Sequence, residues 1–225
     1  MTSLEEIWPA AGLRARAGNL ELRWIDDDLL VALADLASRG IHDDDTMPFL
    51  VPWTRGEPHE VARSVVAYQW QARTAFGHGR LALELAVLLD GEPVGIQAAS
   101  GEDYGVLRSV ETGSWLGREY QSRGIGRRMR ALMLHLMFEG LGAREVTSTA
   151  FADNPASRAV SERTGSGLNG GEVRVREGEA VVLHRYRLTR ARWKGLAEQH
   201  GRTLGAPIEM VGVDGARSAL ELEES

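Results

Sequence analysis

A chain of 225 residues with a net charge of −6, 43% hydrophobic and 26% charged residues, has the make-up of one globular domain with a sizeable core. The acidic balance argues against a nucleic-acid partner, because neutralising phosphates needs a basic surface. With no cysteine in the chain, disulfides, zinc–thiolate sites and any thiol acyl-enzyme are excluded, and no metal is expected.

The first residues, Met1 to Glu6, are acidic where a signal peptide is basic. The longest apolar stretch, Leu81–Leu89, is interrupted by Glu84 and far too short to span a bilayer. A cytoplasmic protein without a membrane partner is therefore expected. Alternating apolar positions over Asn19–Ile25 predict a first strand, and Leu29–Ser38 reads as a helix that stops near Gly40. The stretch His42–Pro58 holds three prolines, an Asp run, Phe49 and Trp53; it is an irregular loop, either a binding element or a long connection. Val61, Val65, Tyr68 and Ala72 recur at helical spacing and predict a helix over Glu60–Ala75.

Three strands follow, Leu81–Leu89, Pro93–Ala99 and Val106–Leu116, separated by Asp90-Gly91-Glu92 and Ser100–Gly105. Ile125, Met129, Leu132, Met133, Leu136 and Met137 form one apolar stripe, so Ile125–Phe138 is a helix, stopped by Gly140 and Gly142. Glu145–Ala150 is a short strand. Asn154-Pro155 starts another helix, with Asn as cap and Pro at the first position, which ends by Gly165. Val173–Arg176 and Val181–Leu188 read as a hairpin and Thr189–His200 as a helix; the last 25 residues carry no clear signal. An antiparallel meander with one strand–helix–strand crossover is an α+β arrangement in which Val106–Leu116 and Glu145–Ala150 lie parallel.

The chemistry sits between the third meander strand and the long helix, in Gln121-Ser122-Arg123-Gly124-Ile125-Gly126-Arg127-Arg128. Two glycines at spacing two let backbone approach a ligand, and the unpaired amides of a helix start suit a pyrophosphate. No Gly-Lys-Ser/Thr is present, and Met129 stands where a dinucleotide fingerprint needs its third glycine.

Gln121-x-x-Gly124-x-Gly126 in this position resembles the acyl-CoA pyrophosphate motif of the GNAT superfamily, and Asp153-Asn154-Pro155-Ala156-Ser157-Arg158-Ala159-Val160 resembles its second cofactor segment. The similarity runs over roughly residues 19–190 and looks closest to the RimJ/RimL branch. The segments Gly40–Asp43, Met47–Phe49, Val51–Arg55 and Gly113–Gly117 are similar to an actinobacterial subgroup that includes a mycobacterial succinyltransferase.

The resemblance implies a GNAT fold with a splayed central strand pair and flanking helices. It implies an acyl-CoA-dependent N-acyltransferase, with acetyl-CoA or succinyl-CoA as donor and a protein N-terminus or small-molecule amine as acceptor. Residues 1–195 would form the acyltransferase domain, and residues 196–225 an extension packing on it or on a partner subunit. Apolar Ile208, Met210, Val211 and Val213 make a homo-oligomer an expectation. By the same resemblance, Trp115, Leu116, Gly117, Gln121, Arg123, Gly124, Ile125, Gly126, Arg127, Asn154 and Ser157 bind the cofactor. Backbone of Trp115, Leu116 and Gly117 would polarise the thioester carbonyl, worth about 3–4 kcal/mol per good donor.

Ser157 matches a position near the departing thiolate, and equally suits a first-turn serine. Asn154 caps its helix whether or not it touches the donor. For the general base Glu111, Glu84 and His42 are candidates, each also readable as a solvated or structurally paired side chain. His42, Phe49, Trp53, Trp70 and Glu84 are candidates for the acceptor pocket, where the aromatics are otherwise core. A non-catalytic acyl-CoA sensor on the same fold is the alternative.

Overall fold

The computed structural model describes residues 1–222. A short helix, α1 (Leu4–Ile7), leads into the hairpin β1 (Arg14–Ala17) and β2 (Leu20–Trp24). Next is α2 (Asp27–Ser38), capped by the Asp26 carboxylate on the Leu29 N–H at 2.8 Å and started by two further acids. Pro58 at the first position and a Glu57–Glu60 capping box start α3 (Pro58–Arg73). The meander is β3 (Leu81–Leu89), β4 (Glu92–Gly101) and, after the one-turn α4 (Tyr104–Leu107), β5 (Ser109–Leu116).

The long helix is α5 (Ile125–His135), closing in a π-type turn over Leu136–Gly140. It is followed by β6 (Glu145–Phe151), α6 (Pro155–Arg163), and the hairpin β7 (Gly167–Arg176) and β8 (Glu179–Thr189). The chain continues through α7 (Arg190–Lys194), α8 (Ala197–Leu204), β9 (Ile208–Val211) and α9 (Val213–Ala219).

Among the described residues one nine-stranded sheet runs in the order β7-β8-β6-β5-β4-β3-β2-β1-β9. Every pairing is antiparallel except β5 with β6, the crossover expected from the sequence. On one face α2 and α3 bury Leu30, Leu33, Leu36, Val61 and Val65 against Ala86, Leu88 and Ile96. On the other, the methionine stripe of α5 packs with Leu22, Leu83, Leu85, Val110 and Leu188. This is the α+β GNAT-type layering anticipated above.

Several elements differ from the sequence reading. Val106 and Leu107 are exposed in α4, not in a strand, and the strand starts at Ser109. Tyr104 forces this turn: its buried hydroxyl donates to Leu141 C=O at 3.0 Å, and Asp103 and Arg108 flank it in the left-handed region. A register irregularity at Gly170-Gly171 breaks the pattern of β7, which begins at Gly167 and not at Val173. The helix read over Thr189–His200 is two helices broken at Gly195.

β1 and β9 had no sequence signal. β9 exists only because it pairs with β1, from Arg14↔Val211 to Ala17↔Ile208. Leu204, Ala216 and Leu220 join the large core, where Ile208, Met210 and Val213 also pack, while Val211 is exposed.

Trp193 anchors this end. It stacks between Phe138 and His200, with centroids at 4.9 and 5.2 Å, meets His135 edge-on at 4.7 Å and donates its indole N–H to Glu139. Burial holds both histidines below their ordinary pKa, His200 at about 4, with the neighbouring His135 adding to the effect. A depressed histidine costs stability as pH falls, since the unfolded chain takes up protons from about 6.5 and the folded one does not until about 4. Melting temperatures of wild type and His200→Phe across that range should diverge in the variant's favour towards low pH; a constant gap would contradict the assignment.

Candidate active site

The parallel pairing of β5 and β6 runs from Ser109↔Glu145 to Thr112↔Ser148 and stops. Beyond it β5 stays with β4 as far as Gly95↔Leu116, and β6 stays with β8 as far as Phe151↔Leu183. The two strands therefore part, leaving a slot with Thr112 and Ser148 at its closed end. The Gly117 N–H is taken by Val94 C=O at 3.0 Å. By the alternation of an antiparallel ladder Trp115 also faces β4, so Ser114 and Leu116 turn their backbone groups to the slot. Leu116 was among the expected donor contacts; Ser114 was not.

The slot opens beside the start of α5. Gly124 caps this helix at φ 77°, and nothing lies within 4 Å of where its Cβ would stand. The first helical bond is from Arg128 N–H to Gly124 C=O at 3.2 Å, so the amides of Ile125, Gly126 and Arg127 have no intrahelical acceptor. They form a ready anion site, aided by the helix dipole.

Arg123 is exposed beside them, whereas Arg127 donates to Thr203 Oγ1 at 3.2 Å and Arg128 to Asn19 Oδ1 at 2.9 Å. Gly126 faces Val160 Cγ2, 3.5 Å from its would-be Cβ, which brings α5 and α6 close together. Gly117 is required for another reason, since a side chain there would meet Leu36 Cδ1 at 2.6 Å. Gln121 spends its side-chain amide on Ile41 C=O at 2.7 Å and Leu116 C=O at 2.9 Å, pinning the loop after α2 to the end of β5.

Across the slot, Asn154 Oδ1 accepts from Ser157 N–H at 3.0 Å and caps α6. The half-buried Ser157 hydroxyl has no hydrogen-bond partner among the described residues.

The α2/α3 side of the sheet carries the remaining candidates. Trp115, Trp53, Phe49 and His42 form a chain of rings with centroids 6.0, 5.0 and 6.1 Å apart. His42 has both ring nitrogens engaged within its loop, with Asp43 C=O at 2.8 Å and Thr54 Oγ1 at 2.6 Å. Trp70 is 61% exposed on α3 and does not join the ring chain. The loop itself is clamped to the β7–β8 turn. Arg55 bridges Glu177 at 2.9 and 3.1 Å, and Arg176 binds Asp153 and Met47 C=O.

Glu84 sits in one row across the sheet with Ala98 and Gly113. Tyr68 donates to it at 2.9 Å and Gln69 at 3.4 Å. Burial pushes its carboxyl up to about 7, with the bonds from Tyr68 and Gln69 pulling the other way. Ala98 is small, and nothing lies within 4 Å of a Cβ placed on Gly113, so the floor between Glu84 and the slot is open. Glu111 is exposed at the fork and accepts from Thr149 Oγ1 at 3.0 Å. Tyr68 and Thr149 escaped the sequence reading because helical and strand periodicity accounted for them fully.

The family model for the acetyltransferase (GNAT) domain matches residues 19–166. The chain belongs to the GNAT acetyltransferase family. This GNAT protein is 29% identical over 136 residues, 59% of its length and 72% of the relative's, to YdaF of Bacillus subtilis strain 168, whose provisional name is ribosomal N-acetyltransferase. Its fold matches RimJ of Mycobacterium smegmatis in complex with CoA-disulfide at a TM-score of 0.69 and 23% identity, covering 86% of this chain and 91% of the other. It matches RimL, a ribosomal L7/L12 alpha-N-protein acetyltransferase in complex with coenzyme A, at 0.60 and 21%, covering 77% and 95%. No helix among the described residues is long and apolar enough to cross a membrane.

Because Asn154 supplies the α6 cap, Asn154→Ala should cost about 1 kcal/mol in denaturant unfolding. An unchanged midpoint would show that the cap contributes nothing.

Proposed function

We propose that the protein transfers an acyl group, acetyl or succinyl, from its coenzyme A thioester directly to a primary amine, with a protein N-terminus as acceptor. The observation that carries this reading is the slot between β5 and β6 opening next to the Gly124-capped start of α5. The amides of Ile125, Gly126 and Arg127 would hold the donor's diphosphate, with Arg123 adding charge from solvent. Ser114 backbone and the Leu116 N–H would meet the pantetheine, the Leu116 C=O being held by Gln121. The acceptor type is favoured by the names of the relatives RimL and YdaF, and the same reading puts the protein in the cytoplasm.

The amine reaches the slot across the open floor over Ala98 and Gly113. Its nitrogen bonds to the thioester carbonyl carbon, the C–S bond breaks and the thiolate leaves, with the free Ser157 hydroxyl as hydrogen-bond donor to sulfur. Glu84 takes the amine proton. It stands two strands from the slot edge, about 10 Å at ordinary strand spacing, so water carries the proton between them. A carboxyl near pH 7 is matched to this task, and it favours an enzyme over a sensor. Exposed Glu111 at the fork attracts the cationic amine before it loses its proton.

Two measurements test this reading. Calorimetric titration with coenzyme A should give micromolar binding that Gly124→Trp abolishes; no binding to folded wild type would sink the proposal. The base must be deprotonated, so kcat should rise with pH through about 7 and then level. Glu84→Gln should lower kcat about 100-fold or more and remove that limb; a variant with the full rate and the same limb would leave Glu84 without this role.

A further inference from the structure

Arg130 lies on α5, six residues past the glycine cap Gly124, and is only 7% exposed. Its guanidinium reaches the underside of the fork. Nη1 donates to Thr112 Oγ1 at 2.8 Å, Nη2 to Ser114 Oγ at 3.5 Å and Nε to Gln97 Oε1 at 3.4 Å. Thr112 is the last residue of β5 paired to β6, and Ser114 is the second of the slot.

All three acceptors are neutral, and two of the three bonds are long. Among the described residues no carboxylate forms an ion pair with Arg130. On the other side of the fork the buried groups are again uncharged, with Ser148 and Ser161 sharing a hydrogen bond at 3.0 Å. Burial lowers the guanidinium pKa to about 10, which still leaves it charged at neutral pH. A buried charge without a counter-charge is among the costlier features a core can hold, and a hydrophobic residue of similar size would be cheaper.

The geometry supplies a counter-ion. A thioester with its diphosphate on the α5 start extends down the slot from the Leu116 end towards Thr112 and Ser148, so its acyl end comes nearest the fork. We propose that Arg130 reads a carboxylate at the free end of the acyl group, which makes coenzyme A thioesters of dicarboxylic acids the preferred donors. Such a carboxylate replaces weak neutral acceptors by charge-assisted, two-point hydrogen bonds, the geometry in which arginine excels. An acyl group ending in a methyl leaves the charge uncompensated. This inference rests on the acyl-CoA reading above and adds the chemical class of the donor.

The test is calorimetric titration of the full chain with acetyl-, butyryl-, malonyl-, succinyl- and glutaryl-CoA, on wild type and on Arg130→Met. In wild type at least one diacid thioester should bind tenfold or more tighter than butyryl-CoA, its neutral counterpart in size. Arg130→Met should erase that preference while holding acetyl-CoA within about threefold of wild type. Equal affinities across the wild-type series, or a diacid preference that survives in Arg130→Met, would overturn the proposal. Should the variant not fold, the wild-type series still decides, because its preference or indifference needs no variant. Acetyl-CoA binding without diacid preference removes only this inference, whereas no binding by any thioester removes the donor reading and this inference together.

Discussion

The parting of β5 from β6 is the constraint on which the rest depends. Each strand is committed on its far side to a long antiparallel ladder, β5 to β4 and β6 to β8, and those ladders continue after the parallel contact has ended at Thr112 and Ser148. Backbone edges left unpaired inside a sheet are costly unless water or a ligand satisfies them. The same fork fixes the neighbours. α5 and α6 begin at its open mouth on one face, and the row Glu84, Ala98, Gly113 crosses towards it on the other.

On the α2/α3 side Glu111 stands at the edge of the fork and Glu84 two strands from it, with Arg185 opposite Thr149 on the β8 side. On the α5 side the buried charge is Arg130, and the unpaired amides at the α5 start add positive potential, which suits a polyanionic donor. The loop after α2 is held by the partly exposed Arg55–Glu177 ion pair, of modest worth, and by Arg176, which donates to Met47 C=O.

Local chemistry explains why much of this was legible from sequence. The caps at Gly124 and Asn154, the methionine stripe of α5, the turn at Asp90-Gly91 and the β5–α5–β6 crossover all follow from spacing and residue type within a few turns of chain. Loop aromatics were legible as a group but not one by one. Trp53 and Trp115 meet, whereas Trp70, next to the buried Gln69, turns out to solvent because α3 buries Val61, Val65 and Gln69.

The sequence by itself determined α2, α3, α5 and α6, the meander, the glycine-capped start of α5 and the family to which the chain belongs, because each of these is written in neighbouring residues. Tertiary structure alone decided which carboxylate is raised, which arginine is buried without a counter-charge, and that β9 exists at all. Glu84 is shifted by α3 laid over it, Arg130 is charged and enclosed only because α5 docks beneath the fork, and β9 needs a partner strand almost 200 residues away. Desolvation and strand pairing depend on what lies close in space, and residues distant along the chain carry no local sign of it.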